Sequence, residues 1–150
     1  MGALNISQVG PIGGPGGAFF DDAILGRAGI IEFPIKTIVV HCGSYIDAIV
    51  VTYFNDFQAW HGGYGGNVQN PLNLGPGEFI TTIWGTSGDY LNQISFTTNL
   101  NNSTGLLGGN PGPNFFDISF PDDDYYICGF WGRNGSYVDA LGAYLLPIPD

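Results

Sequence analysis

Apolar residues along this chain fall in short runs, branched and aromatic, and no long window repeats them at a helical period. Glycine or proline interrupts nearly every helical candidate. Strand-like runs cover Ile35 to His41, Tyr45 to Phe54, Phe79 to Trp84, Tyr90 to Thr98, Asn114 to Phe120, Tyr125 to Trp131 and Tyr137 to Leu146. Such residues suit a pleated, half-buried surface. A leading strand is expected from Leu4 to Val9 with a turn at Gly10-Pro11, making residues 1–12 an extension or first strand.

The strands carry a repeat. One phrase occurs three times: Gly43-Ser44-Tyr45-Ile46-Asp47, Gly88-Asp89-Tyr90-Leu91-Asn92 and Gly135-Ser136-Tyr137-Val138-Asp139, its glycines 45 and 47 residues apart. Three glycine-rich stretches alternate with it: Gly13-Gly14-Pro15-Gly16-Gly17, Gly62-Gly63-Tyr64-Gly65-Gly66 and Gly108-Gly109-Asn110-Pro111-Gly112, spaced 49 and 46 apart. A period of this size means stacked or symmetric units. Each unit has room for about four strands of 5–6 residues. A single such sheet cannot hide its apolar face, whereas three around a common axis can. The 150 residues are therefore read as one all-β domain.

Composition narrows the chemistry. Three basic residues face thirteen acidic ones, a formal charge of −10, so no basic patch can be built and a nucleic-acid partner is excluded. No stretch of about 18 apolar residues could insert in a membrane. No signal peptide is recognisable at Met1, which points to a cytoplasmic or non-classically secreted protein. Four sequons occur, at Asn5, Asn101, Asn102 and Asn134, and a glycan at Asn134 would crowd the third phrase. Cys42 and Cys128 sit at different offsets in their repeats and are expected as free thiols, one bridge remaining open. His41 and His61 read as a strand residue and a loop-flank residue, not a metal pair. Asp21-Asp22 and Asp122-Asp123-Asp124 read as solvated loops; no cofactor or metal is implied. Phe19, Phe20, Phe115, Phe116, Trp60, Trp84 and Trp131 are expected to fill the core or cover sheet faces.

The Gly-Gly-x-Gly-Gly loop, the Gly-x-Tyr-x-Asp turn, the segment Leu74-Gly75-Pro76-Gly77-Glu78-Phe79-Ile80 and the string Ile94-Ser95-Phe96-Thr97-Thr98-Asn99 resemble the jacalin-related lectins, from Gly13 to Leu146. The resemblance implies a β-prism I of three four-stranded Greek-key sheets with pseudo-threefold symmetry, and a non-catalytic protein that binds sugar between a phrase and a glycine loop. It implies three sites: Gly135, Tyr137, Val138 and Asp139 with Gly13, Gly14 and Gly17; Gly43, Tyr45, Ile46 and Asp47 with Gly62, Gly63 and Gly66; and Gly88, Tyr90, Leu91 and Asn92 with Gly108 and Gly109. The Gly13 loop lies inside the chain, which resembles the mannose/glucose-binding members and not those with a free glycine amine.

The residue types fit that chemistry. A carboxylate on an exposed turn accepts two sugar hydroxyls through charge-assisted bonds. Glycines let main-chain N–H groups come close to the ligand, and the three tyrosines can stand beside a bound ring. Asn92 lacks the charge and Pro111 lacks an N–H, so the third site is expected to be weak or silent. Expected partners are mannose- or glucose-containing glycans and glycoproteins, with a homodimer possible. The alternatives are a structural or assembly module, or a glycan-processing enzyme. The enzyme would need two carboxylates at one bond, about 5–10 Å apart, and no second carboxylate recurs beside Asp47 or Asp139.

Overall fold

The computed structural model describes residues 7–25, 34–119 and 125–148. In chain order the strands are β1 (Ser7–Gly13), β2 (Ala18–Asp21), β3 (Ile35–Cys42), β4 (Ile46–Tyr53), β5 (Gln58–Gly62), β6 (Asn67–Val68), β7 (Leu72–Asn73), β8 (Ile80–Ser87), β9 (Leu91–Thr98), β10 (Leu107–Gly108), β11 (Asn114–Ser119), β12 (Tyr125–Asn134) and β13 (Val138–Pro147). One short helix, α1 (Asp22–Leu25), follows β2.

The strands form three antiparallel groups. One runs β1-β13-β12-β2, one runs β5-β4-β3 with β6 and β7 sharing the far edge of β3, and one runs β10-β9-β8-β11. A single residue pair, Ile127 with Ile80, links β12 to β8. This is the three-sided prism expected from the repeat. The first group takes two strands from each end of the chain, so the ring closes through β1 and β2 against β13 and β12.

Alternation along the strands aims one face of each group at a shared interior. Ile38 and Val40, Ile83 and Phe96, and Phe130 and Leu141 come from the three groups and are nearly inaccessible. Phe96 meets Phe130 edge-on at 6.1 Å, the geometry that suits the quadrupoles of two rings. Phe20 and Phe116 are buried as expected, while their neighbours Phe19 and Phe115 point outward and lie against Trp131 and Trp84.

Three expectations are corrected. The chain does not turn at Gly10-Pro11. It continues as β1 with a register shift between Val9 and Ile12, and Trp131 Nε1 donates to Val9 O at 3.1 Å, clamping the strand down. The indole lies where a Cβ on Gly142 would come within 2.5 Å of it, so that residue must be glycine. Asp21 and Asp22 are not solvated loop residues. Asp22 is 0 % exposed: Oδ2 accepts from Tyr53 Oη at 2.7 Å, and Oδ1 lies 2.7 Å from His61 Nε2. Asp21 accepts from Tyr144 Oη at 2.8 Å. His61 is a buried strand residue, its ring stacked on Phe20 at 3.7 Å, and not a loop flank. A carboxyl this deep is tolerable because Oδ2 is hydrogen-bonded and Oδ1 has an imidazole at ion-pair distance, although Oδ1 and Nε2 are not aligned as a hydrogen bond.

Cys42 and Cys128 are free and buried, and burial pushes the Cys128 thiol up to about 12. Among the described residues no helix is long and apolar enough to cross a membrane. The second acidic run, Asp122 to Asp124, lies outside the described residues.

The Asp22 cluster yields a stability prediction. His61→Ala removes one of the two partners of a buried carboxyl and should cost about 3–5 kcal/mol. Tyr53→Phe should cost about 1.5–3 kcal/mol. Urea denaturation reads both as a lowered midpoint; a His61→Ala midpoint equal to that of the parent would show that the contact does not hold the fold.

Candidate functional site

The three phrases cap the central hairpins β3–β4, β8–β9 and β12–β13, and their backbones superimpose in hydrogen bonding. Gly43 N donates to Tyr45 O at 3.0 Å, Gly88 N to Tyr90 O at 2.9 Å and Gly135 N to Tyr137 O at 2.9 Å. One residue past each turn the ladder slips. His41 pairs with Ala48 but Cys42 with Ile46; Thr86 pairs with Gln93 but Ser87 with Leu91; Arg133 pairs with Ala140 but Asn134 with Val138. The residue skipped each time is Asp47, Asn92 or Asp139. A β-bulge frees one residue from pairing and re-aims its side chain. Here it points the acidic or amide group at the glycine loop while Ile46, Leu91 and Val138 stay fully buried in the core. Those three can therefore offer a ligand only main-chain atoms.

Each loop lies directly on its bulged residue. Gly14 N donates to Asp139 O and Gly63 N to Asp47 O, both at 2.9 Å. Gly17 and Gly66 adopt φ of 75° and 77°, and a Cβ on either would come within 2.5 Å of the Oδ1 of Asp139 or Asp47. Gly16 and Gly65, which were absent from the expected set, face the other oxygens: an added Cβ would lie 2.9 Å from Asp139 Oδ2 and 2.8 Å from Asp47 Oδ2. Gly17 and Gly66 are needed both for the left-handed turn and because bare backbone approaches the carboxyl; Gly16 and Gly65 are needed for the close approach alone.

This closeness corrects the exposed-turn expectation. Asp47 and Asp139 retain only 7 % and 5 % of their surface. Desolvation raises both pKa values, opposed at Asp47 by the Gly43 backbone and His41, and at Asp139 by Arg133. The position two residues before each phrase thus differs: His41, Thr86 and Arg133. Arg133 also holds its loop, its Nε donating to Gly16 O at 2.9 Å and its Nη2 to Gly17 O at 2.7 Å. That role was missed; the equal offset from each phrase was the available signal.

The tyrosines do not simply flank their own sites. Tyr45, Tyr90 and Tyr137 meet one another, with centroids 5.0, 5.0 and 4.8 Å apart. Tyr137 and Tyr45 each line the cleft of another phrase. A cleft of about 420 Å³ beside Asp47 is walled by Gly62, Gly63, Tyr64 and Gly65 on one side and by Gly135, Ser136 and Tyr137 of the third phrase on the other. A cleft of about 450 Å³ beside Asn92 takes Tyr45 as well as Tyr90, with Gly88, Asp89, Pro113 and Asn114. The second glycine of each loop seals the same ring: a Cβ on Gly14, Gly63 or Gly109 would lie within 3 Å of Asp89 O, Ser136 O or Gly43 O.

The Asn92 cleft departs from the Asp47 cleft. Gly112 N donates to Thr86 Oγ1 at 2.9 Å, and a Cβ on Gly112 would come within 2.5 Å of Asn92 Oδ1. Gln93 Nε2 ties Gly109 O at 3.1 Å. Each of the two clefts is walled by a single acidic residue, Asp47 in one and Asp89 in the other, where bond cleavage with a paired acid and base would need two. Among the described residues no group of three His, Cys, Asp or Glu side chains could hold a metal.

Known proteins share this fold. Residues 9–144 match the model of the jacalin-like lectin domain. Myrosinase-binding protein 2 of Arabidopsis thaliana is 29 % identical over 142 residues, which cover 93 % of this chain. The mannose/glucose-specific lectin of Parkia platycephala is 32 % identical over 157 residues, covering 95 % of this chain. The chain spans only 21 % and 32 % of the lengths of those two proteins. The structure of wild-type Malaysian banana lectin superimposes with a TM-score of 0.80 at 29 % identity, covering 95 % of this chain and 99 % of that one. With a family match across nearly its whole length and a shared three-sheet prism, this chain belongs to the jacalin-like lectin domain family.

Proposed function

We propose that the chain is a non-catalytic lectin that binds mannose- or glucose-type sugars of glycans and glycoproteins in the Asp47 and Asp139 clefts. The observation that carries this reading is the bulged aspartate, used twice, with bare glycine backbone against its carboxyl oxygens. A recessed carboxylate beside main-chain N–H groups complements vicinal hydroxyls, each of which both donates and accepts. The name of the Parkia relative, a mannose/glucose-specific lectin, supports the choice of sugar. In local wording the loops also resemble griffithsin, an algal mannose lectin, although the relatives compared above support the family as a whole. One shallow cleft for one neutral sugar binds in about the millimolar range. Two clefts on one prism, doubled again in a homodimer, gain about 10²–10⁴ on a branched glycan through avidity.

Asp47→Asn and Asp139→Asn should each weaken methyl mannoside binding at their own cleft about tenfold, since a charge-assisted bond becomes a neutral one. Site-resolved NMR titration of the Gly63 and Gly14 amides measures this; undiminished binding in the double variant removes the proposed sites. The Asn92 cleft should be at least tenfold weaker than either, and Asn92→Asp should narrow that gap. Saturation of the Gly88 amide together with the other two in the parent protein would contradict the ranking.

Acid should abolish binding earlier than for an exposed aspartate. The carboxylate form is the acceptor, and desolvation raises both pKa values, so protonation begins at a higher pH than usual. Stability moves the opposite way. A folded-state pKa above the unfolded one means that these groups favour the fold fully below the unfolded value, and that this contribution is lost as pH rises through the folded value. Both asparagine variants should therefore be no less stable than the parent at neutral pH while binding less. A pH series of mannoside titrations and urea midpoints checks both signs, and a loss of affinity only at the pH of an exposed aspartate would contradict the first.

A further inference from the structure

The Asp47 cleft has a neighbour that the other clefts lack. Tyr64 sits in its glycine loop, forms part of its wall and is 91 % exposed. Trp60, 42 % exposed, lies beside it with ring centroids 5.7 Å apart, and His41 packs on Trp60 at 5.0 Å. The indole is fixed. Its Nε1 donates to Gly63 O at 3.0 Å, one residue from Tyr64, so the loop and the indole are held to each other. At the equivalent place the first loop carries Pro15 and the third Asn110.

Two large rings standing in water forgo the burial that stabilises Phe20, Phe96 and Phe130, and neither belongs to the core. They are continuous with a cleft whose acceptor group, Asp47, lies recessed at its base. A groove for an oligosaccharide needs this pairing: a polar anchor for hydroxyls and, one sugar away, an apolar surface for the C–H face of the next ring. A broad protein-docking patch would need far more apolar area than two rings supply.

We propose that the Asp47 cleft is an extended subsite for an oligosaccharide, with the terminal sugar at Asp47 and the adjoining one laid on Tyr64 and backed by Trp60. The Asp139 cleft, with Pro15 in place of Tyr64, takes the terminal sugar alone. The two clefts are thus unequal in the length of glycan that they read. This rests on the carbohydrate reading of Asp47 and deepens it.

The test titrates the protein with methyl α-mannoside and with an α-linked mannobiose, following the Gly63 and Gly65 amides for one cleft and Gly14 and Gly16 for the other. At the Asp47 cleft the disaccharide should bind about two- to tenfold tighter than the monosaccharide. Tyr64→Ala should bring that ratio close to one, Tyr64→Phe should keep it, and the ratio at the Asp139 cleft should be the same in all three proteins. A ratio near one in the parent, or equal losses for both sugars in Tyr64→Ala, overturns the extended subsite while leaving the primary site standing. No shift of the Gly63 and Gly65 amides with either sugar overturns the carbohydrate reading and this inference together.

Discussion

A single unpaired residue in each central hairpin sets the geometry of this protein. The ladder slips just beyond each turn, and the slip lets Ile46, Leu91 and Val138 enter the core while the next residue points out of it. Without the bulge, strict alternation would still separate the two side chains, but the acidic group would stay in a paired position and not be turned toward the loop. Everything at the site follows from that. The loop must be glycine because the turned carboxyl occupies the space of a Cβ, and the carboxyl is desolvated because the loop covers it.

The second constraint is the ring. Each glycine loop serves the phrase of its own group and abuts the phrase of another, and the three tyrosines close on one another between them. Such an arrangement brings the three phrases, and the clefts beside Asp47 and Asn92, together at one end of the prism. It also ties their walls together, since Tyr137 belongs by sequence to the Asp139 phrase but lines the Asp47 cleft. Symmetry in the backbone leaves the side chains free to differ. Arg133, His41 and Thr86 occupy one equivalent position, and Pro15, Tyr64 and Asn110 another, so three similar turns acquire three chemistries.

Polar burial is used twice, for opposite ends. Asp22 is enclosed with Tyr53 hydrogen-bonded to one oxygen and His61 at ion-pair distance from the other, a cluster that joins α1, β4 and β5. Burial together with the Asp22 hydrogen bond pushes the Tyr53 hydroxyl well above its ordinary range, which keeps it a donor. Asp47 and Asp139 are covered nearly as well by loop glycines, and this desolvation raises their pKa values. The first arrangement stabilises the fold. The second leaves acceptor capacity unspent at the base of a cleft.

Much of this was legible in the residues. The repeat of Gly43, Gly88 and Gly135 against the glycine loops gave the threefold plan, because backbone turns that need glycine recur wherever the same geometry recurs, and the seven strand runs lie where branched and aromatic residues cluster. The pairing of each loop with its phrase was open in the residues and came from the family resemblance. The short strands β2, β5 and β10 were not legible, since two to five residues carry no period of their own. Nor was the depth of Asp22, whose partners Tyr53 and His61 lie 31 and 39 residues away and meet it only when two sheets pack. The sequence by itself determined a three-unit β fold with an aspartate or asparagine at three matched turns. Only the tertiary structure decided that the two aspartates are recessed, that tyrosines are shared between neighbouring clefts and that Tyr64 and Trp60 form a shelf, because each depends on distances between segments that alternation and spacing along one strand cannot carry.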